Sequence, residues 1–275
     1  MRHTLPAQVT LFTAATLLLG CTQSLDFDSV SNGSNQSSNS KFSCAALSPA
    51  PTFCDDFDGK PPLEVWSAVP ISPAVGGGAV AGNNVFALSP PNSLLATTAG
   101  AAAGTYVSSA AQQTFNAFEG KPMDAHISFD MMVETIDPTP GARIVAFQFL
   151  FGPLTQYNQL VINLSSTGTA VTSQFTENLG GAMQATTKGD TQHVPELKKW
   201  VHVTFDLEVF NPSGQGNNAK VTVDSVTLFD TGLHYQLYRD QPRLEVGVPW
   251  VDTTVPTQPW GIRYDNFQAT LSEKK

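Results

Sequence analysis

Alternation of apolar and polar residues is the feature that most constrains the fold of this 275-residue chain. Between Trp200 and Val209 every second residue is apolar, starting at Val201, and the residues between them include a histidine, an aspartate and a glutamate. In an extended strand, successive side chains point to opposite faces, so this spacing gathers the apolar residues on one side. The segment therefore predicts a β-strand with one face against a core.

Similar runs recur along the chain, and each is bounded by Gly, Pro, Asn or Asp. The segment 143–151 is apolar on both faces apart from Gln148, as in a central strand. One helical turn is predicted at 194–199, where Pro195 suits a first-turn position. Because nearly all predicted structure is strand, the sequence favours an all-β, two-sheet antiparallel sandwich. Further strands are predicted at 126–134, 156–165, 169–177, 220–230 with a turn at Asp224-Ser225, 243–248 and 262–271.

The N-terminus predicts export. Residues 5–20 are mostly apolar but fall short of the roughly 20 residues that span a bilayer, so 1–20 is predicted to be a signal peptide. Its end, Leu18-Leu19-Gly20-Cys21, resembles the lipobox of bacterial lipoproteins. The resemblance implies that Cys21 is acylated and is the first residue of the mature protein. In a Gram-negative host, Thr22 after the cysteine further implies anchoring at the outer membrane, on either its periplasmic or its outer face. The alternative is an ordinary signal peptide with a chance cysteine.

A Ser/Asn-rich tether and one cysteine pair follow. Residues 21–42 are predicted to be the lipidated cysteine and a flexible tether, since 29–40 has almost nothing to bury, and 43–275 is the sandwich domain. Once Cys21 carries lipid, Cys44 and Cys54 are the remaining cysteines in an oxidising compartment, which predicts a disulfide. The alternative is two free thiols that bind a metal.

Short motifs between residues 53 and 271 resemble the concanavalin A-like lectin/glucanase family, including its laminin-G-like members. The resemblance implies a jelly-roll sandwich, although Ser225 stands where laminin-G-like hairpins usually carry Gly. The family contains lectins, glycan-binding modules, glycoside hydrolases and polysaccharide lyases, so the fold does not select a function. The motifs are Phe53-Cys54-Asp55-Asp56-Phe57 with Trp66, Lys199-Trp200-Val201-His202-Val203, Val221-Thr222-Val223-Asp224-Ser225 and Tyr264-Asp265-Asn266-Phe267.

The catalytic motifs of this family are incomplete in the sequence. Laminarinase-type hydrolases carry Glu-x-Asp-x-Glu on one strand, whereas the run 204–208 has Thr204 in place of the first carboxylate. Lyases use Tyr-x-Lys-x-Gly-x-Tyr-x-Gln, and Tyr157-Asn158-Gln159 matches only the last three positions, without the lysine and glycine. The sequence identifies no catalytic residue and leans against an enzyme.

One polar surface is a candidate for glycan binding, provided that the strands carrying it are neighbours in one sheet. Amides and carboxylates can hydrogen-bond sugar hydroxyls, and an aromatic ring can pack against a pyranose. The alternative is the ordinary solvent side of a sheet, and the tryptophan equivalent to Trp200 is usually structural in this family. The residues are His126, Asp130, Gln148, Tyr157, Gln159, Asn163, Gln174, Trp200 and His202.

Calcium is the one candidate cofactor. Asp55 or Asp56 in the first strand and Asp265 in the last could supply hard oxygen ligands, because the family places these strands side by side. The alternative is a set of surface carboxylates. Nucleic acid is excluded as a partner, since the formal charge is −9 and the 14 Lys and Arg form no basic stripe.

The sequence thus predicts a lipid-anchored envelope protein whose domain binds glycans or adheres to them without catalysis. Two alternatives stay open. One is a polysaccharide hydrolase or lyase of the same fold. The other is a structural envelope protein that binds a protein partner.

Overall fold

The structure, a computed structural model, describes residues 42–59, 63–68, 77–151, 158–179, 184–187, 194–209, 216–233 and 241–274. Within these ranges it consists of fourteen strands and two short 3-10 helices, which confirms the all-β prediction. The strands are β1 (Phe53–Asp55), β2 (Ala79–Asn83), β3 (Ser93–Thr97), β4 (Ser109–Thr114), β5 (Met123–Thr135), β6 (Arg143–Phe151), β7 (Asn158–Ser166), β8 (Val171–Leu179), β9 (Gln184–Thr187), β10 (Trp200–Val209), β11 (Asn218–Val223), β12 (Val226–Gly232), β13 (Arg243–Val251) and β14 (Gly261–Glu273). The 3-10 helices are Cys44–Ala46 and Asn116–Phe118.

The described strands form two antiparallel sheets. The eight-stranded sheet has the order β12-β11-β10-β5-β14-β3-β2, with β1 paired to β14, and the six-stranded sheet has the order β4-β13-β6-β7-β8-β9. The predicted adjacency of the first and last strands is confirmed. Strands β6, β7 and β8 pair in consecutive order. Asp224 and Ser225 join β11 to β12 with φ angles of 49° and 66°, the left-handed pair that suits a two-residue hairpin.

The helical turn predicted at 194–199 is wrong. Lys198 has a φ of 61°, which interrupts a right-handed helix, and its amide N–H donates to the carbonyl oxygen of Val133 at 2.8 Å. The conformation of this segment is therefore determined by its hydrogen bond to β5 and not by helix propensity. None of the described helices has the length and apolar character needed to cross a membrane.

The core lies between the inner faces of the two sheets. Phe129 of the eight-stranded sheet contacts Phe147 of the other, with ring centroids 5.2 Å apart. Tyr264, fully buried on β14, reaches across the sandwich and donates its hydroxyl proton toward the carbonyl oxygens of Ala146 at 2.6 Å and Gly247 at 2.8 Å. The two sheets are thus joined by a polar contact inside the core.

The predicted disulfide between Cys44 and Cys54 is confirmed, with the two Cα atoms 5.7 Å apart. It joins the first 3-10 helix to β1. Trp66 packs edge-on against Phe53 at a centroid distance of 4.9 Å and donates its indole N–H to Asp55 at 2.6 Å. A covalent and an aromatic contact therefore hold the start of the domain against β14.

Candidate functional site

The residues predicted to form one glycan-binding face lie on two faces that belong to different sheets, so the single face is wrong. The chain leaves the eight-stranded sheet at the end of β5 and enters the six-stranded sheet at β6, and the outer sides of a sandwich point in opposite directions. Gln148, Gln159, Asn163 and Gln174 are on the six-stranded sheet, whereas His126, Asp130, Trp200 and His202 are on the eight-stranded sheet. Tyr157, like Cys21, lies outside the described residues.

We call the outer side of the six-stranded sheet the amide face, after Gln148, Gln159, Asn163 and Gln174. On β13, Leu244, Val246 and Val248 belong to the core, so the alternation of the strand directs Arg243 and Glu245 outward. Glu245 stands directly opposite Gln148 of β6 in the sheet register. The amide face therefore holds a carboxyl group that the sequence analysis did not single out.

The centre of the amide face is a chain of hydrogen bonds that runs across three strands. Gln159 donates its amide N–H to the Gln148 oxygen at 3.1 Å, and Gln148 in turn donates to a carboxylate oxygen of Glu245. Gln148 and Glu245 are only 6% and 7% exposed. This arrangement fixes the orientation of the Glu245 carboxyl.

Burial raises the pKa of the Glu245 carboxyl above its ordinary value. The hydrogen bond from Gln148 and the positive charge of Arg243 offset part of this rise. A carboxyl whose pKa is moved toward neutrality can exchange a proton more readily near physiological pH than an ordinary glutamate. Glu245 is therefore suited to acid or base chemistry.

Backbone irregularities shape the strands beside Glu245. The pairing of β6 and β13 shifts between Val246 and Trp250, and Gly247 adopts a φ of 119° inside that interval. A Cβ at this glycine would lie 2.4 Å from the carbonyl oxygen of Ser109, so no side chain fits. Gly247, two residues after Glu245 on β13, therefore permits a close approach of β13 to β4.

A second row of side chains crosses the amide face beside the hydrogen-bond chain. Asn163 and Trp250 both stand opposite Val145, on its two sides. Asn163 donates its amide N–H to the Thr176 hydroxyl at 2.8 Å, beside Gln174. Trp250 is half-buried, and the Arg143 guanidinium lies 5.8 Å from the centre of its ring. Amides, a carboxyl, a guanidinium and an indole thus share one side of one sheet.

We call the outer side of the eight-stranded sheet the His-Asp face. His202 and Asp130 pair across β10 and β5 at 2.8 Å, and His126 pairs with Asp206 at 2.6 Å. Asn266 donates to the second oxygen of Asp130 at 2.7 Å. The hydrogen bond to Asp130 raises the pKa of His202, although burial opposes this.

Trp200 is half-buried on the same strand as His202, opposite Met132. It is therefore placed on the His-Asp face, away from the amides with which the sequence grouped it.

The predicted calcium ligands do not fit a metal site. Asp55 accepts hydrogen bonds from Trp66 at 2.6 Å and from the Phe57 amide at 2.7 Å, while Asp56 accepts from the amides of Cys44 and Asp58, each at 3.3 Å. The oxygens of these carboxylates are thus engaged by N–H donors, which compete with a cation.

Asp265, the third predicted ligand, is also engaged by donors. It accepts the amide N–H groups of Leu88 at 2.8 Å and Ser89 at 2.9 Å, and the Ser89 hydroxyl at 2.8 Å. Burial raises its pKa to about 6, although the hydrogen bonds from Ser89, Asn266 and Leu88 oppose this rise. In the part of the chain that the structure describes, no three His, Cys, Asp or Glu side chains converge as metal ligands would.

Sequence reasoning missed Glu245, Arg243, Arg143 and Trp250. The segment 243–248 carries a signal, because a glutamate alternates there with apolar residues, but alternation alone predicts only a strand. Whether an outward glutamate is solvated or buried depends on the strands beside it, and the sequence does not specify those neighbours.

The sequence matches no protein-family model and no curated protein. Its fold is similar to that of the endo-β-1,4-glucuronan lyase from the fungus Trichoderma reesei, with a TM-score of 0.56, 13% identity, and coverage of 80% of this chain and 95% of that chain. Cellulose induced protein, Cip1, gives a TM-score of 0.53 at 11% identity, over 81% of this chain and 97% of that one. A mutant of alginate lyase Aly36B in complex with alginate tetrasaccharide gives 0.50 at 13% identity, over 66% and 82%.

These similarities establish the fold. The chain is a jelly-roll sandwich of the kind found in polysaccharide lyases, as the concanavalin A-like resemblance implied. At such low identity, the activity of this chain has to be argued from its own residues.

Proposed function

We propose that the chain is a polysaccharide lyase that acts on uronate-containing glycans at the amide face, with Glu245 as the group that accepts the proton. The observation that carries this proposal is the buried Glu245 carboxyl, which Gln148 orients in the middle of a sheet face rich in amides. Similarity to the fold of glucuronan and alginate lyases supports it. The proposal replaces non-catalytic binding as the preferred function.

Elimination suits this face better than hydrolysis. Glycoside hydrolysis uses two carboxyl groups, one on each side of the glycosidic bond. Among the described residues of β4, β6, β7, β8, β9 and β13, Glu245 is the one carboxylate directed outward. Elimination from a uronate requires a single proton acceptor, because the carboxylate of the sugar itself acidifies the neighbouring C–H group.

The reaction is balanced with the groups present. An oxygen of ionised Glu245 takes the proton from C5 of the uronate, and the C–H electron pair forms the C4–C5 double bond. The C4–O bond breaks, and the departing oxygen takes up the proton from Glu245. Gln148 positions the carboxyl for both transfers, and Arg243 supplies positive charge near the negative charge that builds on the sugar carboxylate.

The test is cleavage of polyglucuronate and alginate by the full-length protein. The unsaturated sugar formed by elimination is followed by its ultraviolet absorbance, and new reducing ends are counted in parallel. We expect both signals, and we expect Glu245→Gln to lower the rate at least 100-fold, within the range of general acid-base contributions. Glu208→Gln, an exposed carboxylate on the His-Asp face, is the matched control and should leave the rate unchanged.

The other outcomes separate the alternatives. Reducing ends without unsaturated sugar would identify a hydrolase and contradict the role given to Glu245. Retardation of the protein by a polysaccharide gel with neither signal would support the non-catalytic glycan-binding reading. Absence of any glycan response would shift the proposal to a protein partner.

We further propose that the domain is displayed from a membrane through lipid on Cys21 and a tether that ends at residue 42. The proposal rests on the Leu18-Leu19-Gly20-Cys21 pattern and on the Ser/Asn-rich composition of 29–40. Expression in a Gram-negative host with a clickable palmitate analogue should label the protein and place it in the outer-membrane fraction. Cys21→Ser should abolish labelling, and labelling that persists in this variant would contradict the anchor.

A further inference from the structure

Trp250 and Arg143 form a second element of the amide face, several residues from Glu245. Trp250 follows the irregular part of β13 and is opposite Val145 of β6, whereas Glu245 is opposite Gln148. Val145 and Gln148 stand opposite Asn163 and Val161 of β7, which are two residues apart, because the pairing of β6 and β7 is irregular between Val145 and Phe147. The two places are therefore separated by about 7 Å along the strand direction. A linear polysaccharide lying along β6 would therefore contact both places at once.

Arg143 is held beside the indole by a carboxylate. Its guanidinium donates to Asp252 at 3.1 Å, and Asp252 also accepts the Thr254 amide N–H at 3.1 Å. Burial opposes ionisation of Asp252, but the hydrogen bonds from Thr254 and Arg143 outweigh it and lower its pKa. The ion pair thus orients the guanidinium while leaving the Arg143 side chain 47% exposed.

These two side chains have complementary roles toward a sugar. A flat, half-buried indole offers an apolar surface to the C–H groups of a pyranose ring, and a guanidinium with an exposed edge binds a carboxylate through two parallel N–H donors. Both are fixed before a ligand arrives, which lowers the ordering cost of binding. Because Arg143 lies close to the ring, a sugar on Trp250 presents its substituents to the guanidinium.

We propose that Trp250 and Arg143 form a sugar subsite that binds a uronate next to the one processed at Glu245. The inference rests on the proposed function, and it adds the position of a neighbouring sugar and the charge that this sugar carries. Trp250 provides the stacking surface, and Arg143 selects for the carboxylate. Neutral sugars at this position should bind more weakly.

The experiment measures binding of alginate by affinity electrophoresis, with carboxyl-reduced alginate as the neutral counterpart. All variants are made in full-length Glu245→Gln protein, so that cleavage does not complicate the measurement. We expect Trp250→Ala to weaken alginate binding about tenfold and Trp250→Phe to restore most of it. Arg143→Gln should remove the preference for alginate over its reduced form. Trp200→Ala, the half-buried tryptophan of the His-Asp face, is the matched control and should have no effect.

The result separates the subsite from the activity. If the parent binds alginate and neither Trp250→Ala nor Arg143→Gln changes its affinity or its preference, the subsite is overturned while the role of Glu245 stands. If the parent binds no alginate and the wild-type protein cleaves no polyuronate, the proposed function fails, and the subsite fails with it. Thermal unfolding of each variant shows whether a loss of binding reflects a loss of folding.

Discussion

The two outer faces of the sandwich both bury polar side chains, but they use them differently. On the His-Asp face, the buried Arg263 donates to Glu134 at 2.7 Å and to Asn83 at 2.9 Å, and Asp265 binds the backbone of Leu88 and Ser89. The contacts of Asp265 attach the segment 84–92 to the sheet, and the Arg263 guanidinium also lies 5.2 Å from the centre of the Phe86 ring in that segment. On the amide face, the hydrogen bonds of Gln159, Gln148 and Glu245 run sideways between strands that the backbone already pairs.

The difference separates two reasons for burying a polar group. A group that anchors a loop contributes to stability, because removing it leaves backbone donors or a charge without a partner. Burial raises the pKa of Glu245 as it raises that of Asp265, so the fold disfavours the ionised form of both carboxyls, but Glu245 anchors no described loop. Variants of the His-Asp face should therefore lose stability and keep glycan binding, and side-chain variants of the amide face should do the reverse.

Gly247→Ala should have the largest effect on the free energy of unfolding. On the amide face, stability depends on the close approach of backbone segments, which this substitution disturbs. The added methyl group would meet the Ser109 carbonyl oxygen at 2.4 Å and the Ala110 Cα at 2.9 Å, at a φ of 119° that L-residues avoid. Strain and overpacking together should lower the free energy of unfolding by about 3–5 kcal/mol. Urea unfolding of the full-length protein measures this loss.

Gly104→Ala is the matched control for that measurement. Gly104 also has a positive φ, 76°, but a Cβ there would meet nothing within 4 Å. Gly104→Ala should lower the free energy of unfolding by about 1 kcal/mol, because only the backbone conformation is disfavoured. Equal losses in the two variants would show that the close approach of β13 to β4 is unimportant.

Arg263→Met is the corresponding test on the His-Asp face. The Arg263 side chain is 2% exposed, and removal of its guanidinium would leave Glu134 and Asn83 without their shared partner. We expect a loss of about 3 kcal/mol in the free energy of unfolding, with alginate binding unchanged under conditions in which the variant is folded. Lys220→Met, on an exposed ion pair with Asp230, should cost less than 0.5 kcal/mol. Loss of alginate binding by the folded Arg263→Met protein would contradict the proposal that the His-Asp face serves stability and the amide face serves glycan binding.

The strands were predictable because alternation is a local property. The segment 200–209 shows it directly, and β10 has these bounds in the structure. The hairpin at Asp224-Ser225 and the disulfide between Cys44 and Cys54 are also nearly local, since each joins residues close in sequence. The turn at 197–198 was not predictable, because its conformation depends on a contact with Val133, far away in the chain.

The candidate site was only partly predictable, because it depends on which strands share a sheet. Gln148 and Gln159 were singled out from their own strands, and the structure brings them into contact. Their grouping with His202 and Asp130 failed, since alternation shows which residues share a side of one strand but not which strands lie together. Glu245 lies 97 residues after Gln148 in sequence and is joined to it only by the sheet register.

Asp265→Asn should change how stability depends on pH. Burial raises the pKa of Asp265 from 3.8 to about 6 in the folded protein. A raised pKa favours the folded state while the carboxyl is protonated, so this contribution is complete below about pH 4 and is lost as the pH rises to about 6. The loss in the free energy of unfolding amounts to about 2–3 kcal/mol, because a shift of one pKa unit corresponds to about 1.4 kcal/mol.

Unfolding curves between pH 4 and pH 7 provide the measurement. Because burial also raises the pKa of Asp55 and Glu245, the quantity of interest is the difference between wild type and variant. That difference should shift by the stated amount between pH 4 and pH 6 and stay constant above. A difference that is independent of pH would mean that Asp265 is ionised at no cost in the folded protein.

Among the variants at Gly247, Arg263, Asp265 and Glu245, Glu245→Gln should have the smallest effect on the free energy of unfolding, and the sign of that effect is the sharpest test of the comparison. The folded-state pKa of Glu245 is raised, so ionisation of this carboxyl destabilises the fold as the pH rises above its ordinary range. Glutamine keeps the shape and can still accept the hydrogen bond from Gln148, but it carries no charge. The variant should therefore be more stable than wild type at pH 7, by about 1 kcal/mol, as expected where a site sacrifices stability for function. At pH 4 the gain should disappear. A variant that loses both stability and activity would place Glu245 with Arg263 among the residues that hold the sandwich together.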